Sequence, residues 1–273
     1  MLLSASRRCM SNGSISTLLK AATGSAPLSF PAFPLTAAHL PPAPSNPSEF
    51  HEHLVSSISS ATDRVTIGSL YVGPGSLASS APREDELLSA LRAACSRDVP
   101  VNVLLDRNRG LRPQQHTSSA GAVHSALSSP QPSSSSLSLF SVPPPPVVPP
   151  FLTLPSPLNE IGGVFHLKAY IADDSLLLTG ANLSEEYFTD RIDRYFLFSD
   201  GAGGLVDFYD DLIKSLASCP ASSPYPPTLP PARRSAATSD ALAASLSSLI
   251  ARHPPPSGDD ATVAYAVPTF QCP

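Results

Sequence analysis

His166 and Lys168 stand two residues apart in the stretch FHLKAYIADD, and Asp173 follows the lysine after four intervening residues. Gly180-Ala181-Asn182 comes shortly afterwards. The alternation of Val164, His166, Lys168 and Tyr170 behind Gly162-Gly163 predicts a β-strand, on which side chains two apart share a face. An imidazole then lies beside a fixed ammonium. That pairing suits phosphoryl chemistry: the histidine acts as nucleophile or acid, and the cation binds phosphate oxygens. Asn182 offers a further hydrogen bond to such oxygens. With seven histidines and three lysines in 273 residues, this spacing should arise by chance in roughly a few chains per thousand. The plainer reading is a strand-end histidine near a surface lysine.

The elements that must position these groups follow from apolar spacing. Phe50, Leu54, Ile58 and Ala61 predict a helix over 47–62, which Ser48 can cap. A buried strand is expected at 65–71, a turn at Gly73-Pro74-Gly75, a helix at 83–97 and a second strand at 101–105. Strand, helix and strand in that order make a βαβ unit with a parallel sheet. Asp106-Arg107-Asn108-Arg109-Gly110-Leu111-Arg112 follows the second strand. Ligands of open α/β sheets sit beyond the carboxyl ends of strands, where arginines can fork onto phosphate oxygens. A solvated basic turn is the plainer alternative. Residues 113–150 read as a Ser/Pro-rich loop or disordered insertion with at most a short strand at 137–142. Two strands should flank Asp173-Asp174. A short helix after Asn182, a strand at 194–198 and helices near 204–218 and 240–252 complete the pattern, with proline-rich linkers at 220–231 and 254–260. His51 and His53 read as exposed helix histidines. Arg191, Asp193 and Arg194 are candidates for an ion-pair network near the motif.

Composition narrows the function. With 32 prolines, about two-thirds of the chain can pack into a core. A net charge of −5 gives no support for a nucleic-acid partner. The four cysteines, Cys9, Cys95, Cys219 and Cys272, lie far apart, so neither a zinc site nor a disulfide framework is indicated. Residues 1–44 hold Arg7, Arg8 and Lys20 and no acid, the composition of an organellar targeting segment. Mitochondrion and plastid are not separable on that basis. No apolar run suits a membrane-spanning helix, because the uncharged stretch 137–154 contains six prolines. Membrane association is therefore expected to be peripheral.

His166, Lys168, Asp173 and Asn182 together resemble the HKD signature of the phospholipase D superfamily. The blocks SEFHEHLVSSISSATDRVTIGSLYVGPGSL, VNVLLDRNRGLR and LPSPLNEIGGVFHLKAYIADDSLLLTGANLSEEYFTDRIDRYFLF are similar to the eukaryotic mitochondrial phosphatidylglycerophosphate synthase family. The resemblance covers about half the chain. It implies an α/β fold, one phospholipase D-like lobe with a mixed sheet flanked by helices. It also implies transfer of a phosphatidyl group from CDP-diacylglycerol to sn-glycerol 3-phosphate through a phosphohistidine, with no metal and no other cofactor, at the mitochondrial inner membrane. His166, Lys168 and Asp173 are the implied catalytic residues, with Asp173 orienting a histidine or supporting the fold. Arg109 and Arg112 match the family's Asp-x-x-Arg-Gly-x-Arg segment as phosphate or nucleotide binders. Other phospholipase D-like hydrolases or transferases, and an inactive lipid- or partner-binding half-domain, are the alternatives.

The expected organisation is a targeting segment and linker (1–44), the lobe (45–218) and a proline-rich region with a helix (219–273). Only one His-x-Lys is present, whereas the superfamily's chemistry takes a histidine from each of two motifs. A second lobe, supplied in cis or by a dimer partner, is therefore expected, and the monomer is expected to be inactive. The final block, ATVAYAVPTFQCP, looks like the family's lead into that lobe, and a truncated gene product is favoured over a one-motif dimer.

Overall fold

The computed structural model describes residues 31–75, 81–114, 117–128, 134–142, 164–227, 236–254 and 262–266. A short strand, β1 (Phe33–Leu35), precedes helix α1 (Pro47–Ser60). Asn46 rather than Ser48 begins that helix: its side chain accepts the Glu49 N–H at 3.0 Å, and Pro47 at the first position forgoes no helical hydrogen bond. Phe50, Leu54 and Ile58 form its buried stripe. Strand β2 (Val65–Ser69), helix α2 (Pro82–Ser96) and strand β3 (Val101–Asp106) follow. β2 and β3 pair in parallel from Val65 opposite Val101 to Ser69 opposite Leu105, which is the expected βαβ unit.

The Ser/Pro-rich stretch contributes more than a loop. Ser118 caps helix α3 (Ser119–Leu127) by accepting the Gly121 N–H at 3.1 Å, and Ala120, Ala122, Val123 and Ala126 are buried. Strand β4 (Ser136–Phe140) then pairs in parallel with β3. Small residues at helical spacing let α3 pack closely, and a strand that buries Leu137, Leu139 and Phe140 supplies the third parallel member. The proline tract at 143–150 lies outside the described residues.

Strands β5 (Ala169–Ala172) and β6 (Ser175–Thr179) flank the Asp173-Asp174 turn. Helix α4 (Glu185–Thr189), strand β7 (Tyr195–Phe198), helix α5 (Leu205–Ala217) and strand β8 (Ser222–Pro224) come next. Helix α6 (Ala236–Arg252) and strand β9 (Ala264–Ala266) complete the described elements. The seven-stranded mixed sheet runs β8-β4-β3-β2-β5-β6-β7, while β9 pairs with β1. Packing therefore extends beyond the expected lobe of 45–218: β8 joins the central sheet, and β1 lies before its start. Helices α1 to α4 cover one face through Phe50, Leu91, Val123 and Phe188. Helices α5 and α6 cover the other through Phe208, Leu212 and Leu249. Each such large side chain contributes about 1.5–3 kcal/mol when fully buried.

This topology brings several strand ends to one edge. The parallel strands end there at Ser69, Asp106 and Phe140, β5 begins there with Ala169 opposite Gly68, and β6 ends there with Leu178 opposite Ala169.

Candidate active site

His166 and Lys168 lie just before β5, not within a strand as their alternation predicts. Asp106 accounts for the difference. Its carboxylate is 1% exposed; Oδ2 accepts the Phe165 N–H at 2.8 Å, and Oδ1 accepts the Arg109 N–H at 2.9 Å. The first bond takes a donor that a strand ladder would need. The second closes the single helical turn Arg107–Gly110 at the end of β3. Phe165 turns its ring inward against Phe140, with centroids 5.3 Å apart, which leaves His166 facing outward.

Lys168 is 4% exposed, and its ammonium donates to the His166 carbonyl at 3.3 Å. Burial lowers its pKa to about 8, Asp193 opposes that fall and the nearby Arg109 guanidinium adds to it. His166 keeps an open surface, yet partial desolvation, then the Lys168 and Arg109 charges, hold its pKa below the ordinary imidazole value. The neutral ring, with a free nitrogen lone pair, is thereby favoured at physiological pH. Arg109 itself lies over the Tyr71 ring, 5.6 Å from its centroid. Tyr71 Oη stands 3.4 Å from both Ser184 Oγ and Glu186 Oε1 at the start of α4.

Asn182 sits at the same edge after β6. It is 6% exposed, and among the described residues its Oδ1 has no hydrogen-bond partner. Asp193 closes this side: its carboxylate accepts the Gly180 N–H at 3.3 Å and the Arg194 N–H at 2.6 Å. The ion-pair network expected of Arg191, Asp193 and Arg194 does not form as such, because Arg191 pairs with Glu186 at 3.3 Å and lies over the Tyr187 ring. Arg112 follows on the Arg109 loop, its N–H donating to the Arg109 carbonyl at 3.3 Å.

Asp173 is not brought to His166. It lies across β5, about 16 Å from Lys168 at the rise of an extended chain. There its carboxylate accepts the N–H groups of Asp63 at 2.8 Å, Arg64 at 3.1 Å and Thr62 at 3.1 Å. His51 is also placed differently from its expectation: it is buried, with Nε2 donating to the Arg83 carbonyl at 3.0 Å. Among the described residues no group of three or more His, Cys, Asp or Glu side chains is placed to hold a metal. Cys95 and Cys219 are buried free thiols.

The sequence singled out His166, Lys168, Arg109 and Asn182, which the structure brings to this edge, named Asp193 only as an ion-pair candidate, and gave no role to Asp106 or Tyr71. An acid closing an apolar strand immediately before a basic turn is the signal that marks Asp106.

The fold is that of a solved phosphatidylserine synthase from Haemophilus influenzae, which aligns at a TM-score of 0.52 with 19% identity over 88% of this chain and 48% of that one. A phospholipase D family member, Nuc from Salmonella typhimurium, aligns over 64% of this chain and 89% of its own at a TM-score of 0.43 and 16% identity. The fold class is the mixed α/β sheet flanked by helices that the motif implied. No family model matches the sequence. Its curated homologues are CDP-diacylglycerol–glycerol-3-phosphate 3-phosphatidyltransferases. The mitochondrial protein of Gallus gallus is 35% identical over 188 residues, 68% of this chain and 33% of that protein. A probable member from Dictyostelium discoideum is 32% identical over 63% of this chain and 29% of its own length. The Schizosaccharomyces pombe protein is 36% identical over 60% and 30%. The chain thus spans about a third of the length of the curated relatives it matches.

Proposed function

We propose that this chain supplies the His166 half of a phosphatidyltransferase that uses CDP-diacylglycerol and sn-glycerol 3-phosphate. The observation that carries the reading is an exposed His166 two residues from the buried Lys168 ammonium, which donates to the His166 carbonyl, at the edge where the parallel strands end. The His166 nitrogen attacks the phosphatidyl phosphorus, and the bond from that phosphorus to the CMP oxygen breaks. CMP leaves with a proton from a second histidine, which is absent from the described residues of this site and comes from a second motif in cis or in a partner chain. The glycerol 3-phosphate hydroxyl then gives its proton to that second histidine and attacks phosphorus. The phosphorus–nitrogen bond breaks and phosphatidylglycerophosphate is released. Lys168, Arg109 and Arg112 neutralise charge on the phosphate oxygens through both displacements. Asn182 adds a hydrogen bond to those oxygens, and Asp173 supports the turn after β5 by holding the backbone of residues 62–64.

The relatives named as mitochondrial support a mitochondrial location. Peripheral attachment at the inner membrane fits the finding that no helix among the described residues is long and apolar enough to cross a membrane.

The test is CMP release by purified 1–273 from CDP-diacylglycerol in mixed micelles, with and without glycerol 3-phosphate and a chain carrying a second His-x-Lys motif. Release should require both additions and disappear in His166→Ala. Release that ignores glycerol 3-phosphate would make the protein a hydrolase. Silence under every condition would favour a binding half-domain, and full turnover by a folded His166→Ala protein would remove the assignment.

A further inference from the structure

We propose that Asp106 is the positioning residue of this site, a single buried carboxylate that fixes His166 relative to Arg109. The proposal rests on the reading of His166 as the reacting group. The Phe165 N–H that Asp106 accepts lies 59 residues away in sequence, and the Arg109 N–H only three. The two segments that carry the imidazole and the guanidinium are therefore joined through one side chain. Residues 164–168 have no strand ladder of their own. Their registration comes from this bond, from the Phe165 ring on Phe140 and from the Lys168 carbonyl, which accepts the Thr179 N–H at 3.3 Å.

Burying a carboxylate is costly unless hydrogen bonds compensate it. Capping the Arg107–Gly110 turn alone would need one acceptor, which serine or asparagine provides. Holding Phe165 as well needs a second oxygen on the same carbon, and only a carboxylate offers both. Asp106 does not touch the reacting atoms; it acts through the backbone on either side of them.

The experiment is the titration of His166 in the 1–273 protein carrying Asp106→Asn, followed by NMR of labelled imidazoles with His166→Gln to assign the signal. The charges facing His166 are Lys168 and Arg109, with Asp193 acting on Lys168. Loss of the Asp106 negative charge by itself would push the His166 pKa down. Release of the segment, which moves the ring away from the two cations, would push it up. The expected result is a rise toward the ordinary value of about 6.5 in a protein that still unfolds cooperatively. A pKa that stays or falls overturns the proposal. If Asp106→Asn does not fold, Asp106→Glu keeps the charge with a longer arm that misfits both N–H groups; a rise again supports the proposal and an unchanged value overturns it. In the transfer assay the variant should lose on the order of 100-fold in kcat, the scale of a misplaced reacting group, with KM little changed. Absence of transfer in the native protein would count against the functional reading and leave the titration result standing.

Discussion

Substituting Asp173 separates the contribution of the motif's acid to the fold from any contribution to the chemistry. In the structure it accepts three backbone N–H groups at 2.8 to 3.1 Å and adopts a φ of 49°, in the left-handed region. A hydrogen bond to a charged group contributes about 1.5–3 kcal/mol when buried. Asp173 is only partly buried, and water screens and replaces much of that. For the whole set a loss of ~1–2 kcal/mol in Asp173→Asn is therefore the expected scale. Asp173→Ala should lose about 1 kcal/mol more, because alanine has neither the local side-chain hydrogen bonding that lets asparagine adopt the left-handed conformation nor the freedom of glycine. Asp173→Gly should consequently be more stable than Asp173→Ala, the reverse of their order in a helix. Urea unfolding reads this as a midpoint lowered by roughly 0.5–1 M in Asp173→Asn, for a slope near 2 kcal/mol/M. Burial alone would raise the Asp173 pKa, but the Asp63, Arg64 and Thr62 N–H groups outweigh it and hold it below the ordinary value. A depressed folded pKa stabilises above the unfolded value of about 3.9. The gap between native and Asp173→Asn should thus be full at pH 7 and close as pH falls below about 4. The His166 titration and the transfer per folded molecule should not change. An Asp173→Asn protein with a native urea midpoint and transfer reduced by orders of magnitude would refute this placement.

Lys168 loses its charge as pH rises through about 8, so transfer should fall on the alkaline side, and Lys168→Arg should flatten that limb in a pH profile of kcat/KM. Lys168→Ala should cost about 10²–10³ in rate with a near-native unfolding midpoint. Asp210 is 2% exposed and accepts from Thr66 at 2.6 Å, Lys214 at 2.8 Å and Arg64 at 3.0 Å. Asp210→Ala should cost about 3 kcal/mol in urea unfolding, because it strips a partly buried guanidinium of one of its acids. Residues 1–44 fused to a fluorescent reporter should direct it to mitochondria, and glutamate at positions 7, 8 and 20 should leave it cytosolic, as scored by microscopy.

Much of the fold was legible because large apolar side chains recur at the right spacing: Phe50, Leu54 and Ile58 in α1, Leu87 and Leu91 in α2, and the run Val101 to Leu105 in β3. What escaped was built from residues with little hydrophobic signal. α3 packs through alanines; β4 was expected as a short strand at 137–142, but its parallel place beside β3 rests on long-range pairing. His51 escaped because it stands beside the apolar stripe, one residue after Phe50 and three before Leu54, where the N-terminal end of α2 covers it. At the site, residue types and spacing were enough to name His166, Lys168, Arg109 and Asn182. They could not tell an extended segment before a strand from the strand itself. That depends on where the Phe165 N–H bonds, a long-range fact.

The two edges of the sheet show why Lys168 rather than Arg64 marks the site. Both are cations placed against the protein. At the far edge, burial would lower the Arg64 pKa, but Asp207, Asp210 and Asp174 outweigh it and the guanidinium is stabilised as a cation. At the ligand edge Asp193 only partly offsets burial and Arg109, and Lys168 is left at about 8. A compensated charge serves folding; a cation destabilised by its surroundings gains most when an anion arrives. A phosphate set between Lys168, Arg109 and His166 would supply the negative charge that this edge lacks, raise the lysine pKa and restore its full charge. On the proposed function, substrate binding and the ionisation of Lys168 would be coupled, with the cation strongest while charge develops on phosphorus-bound oxygens.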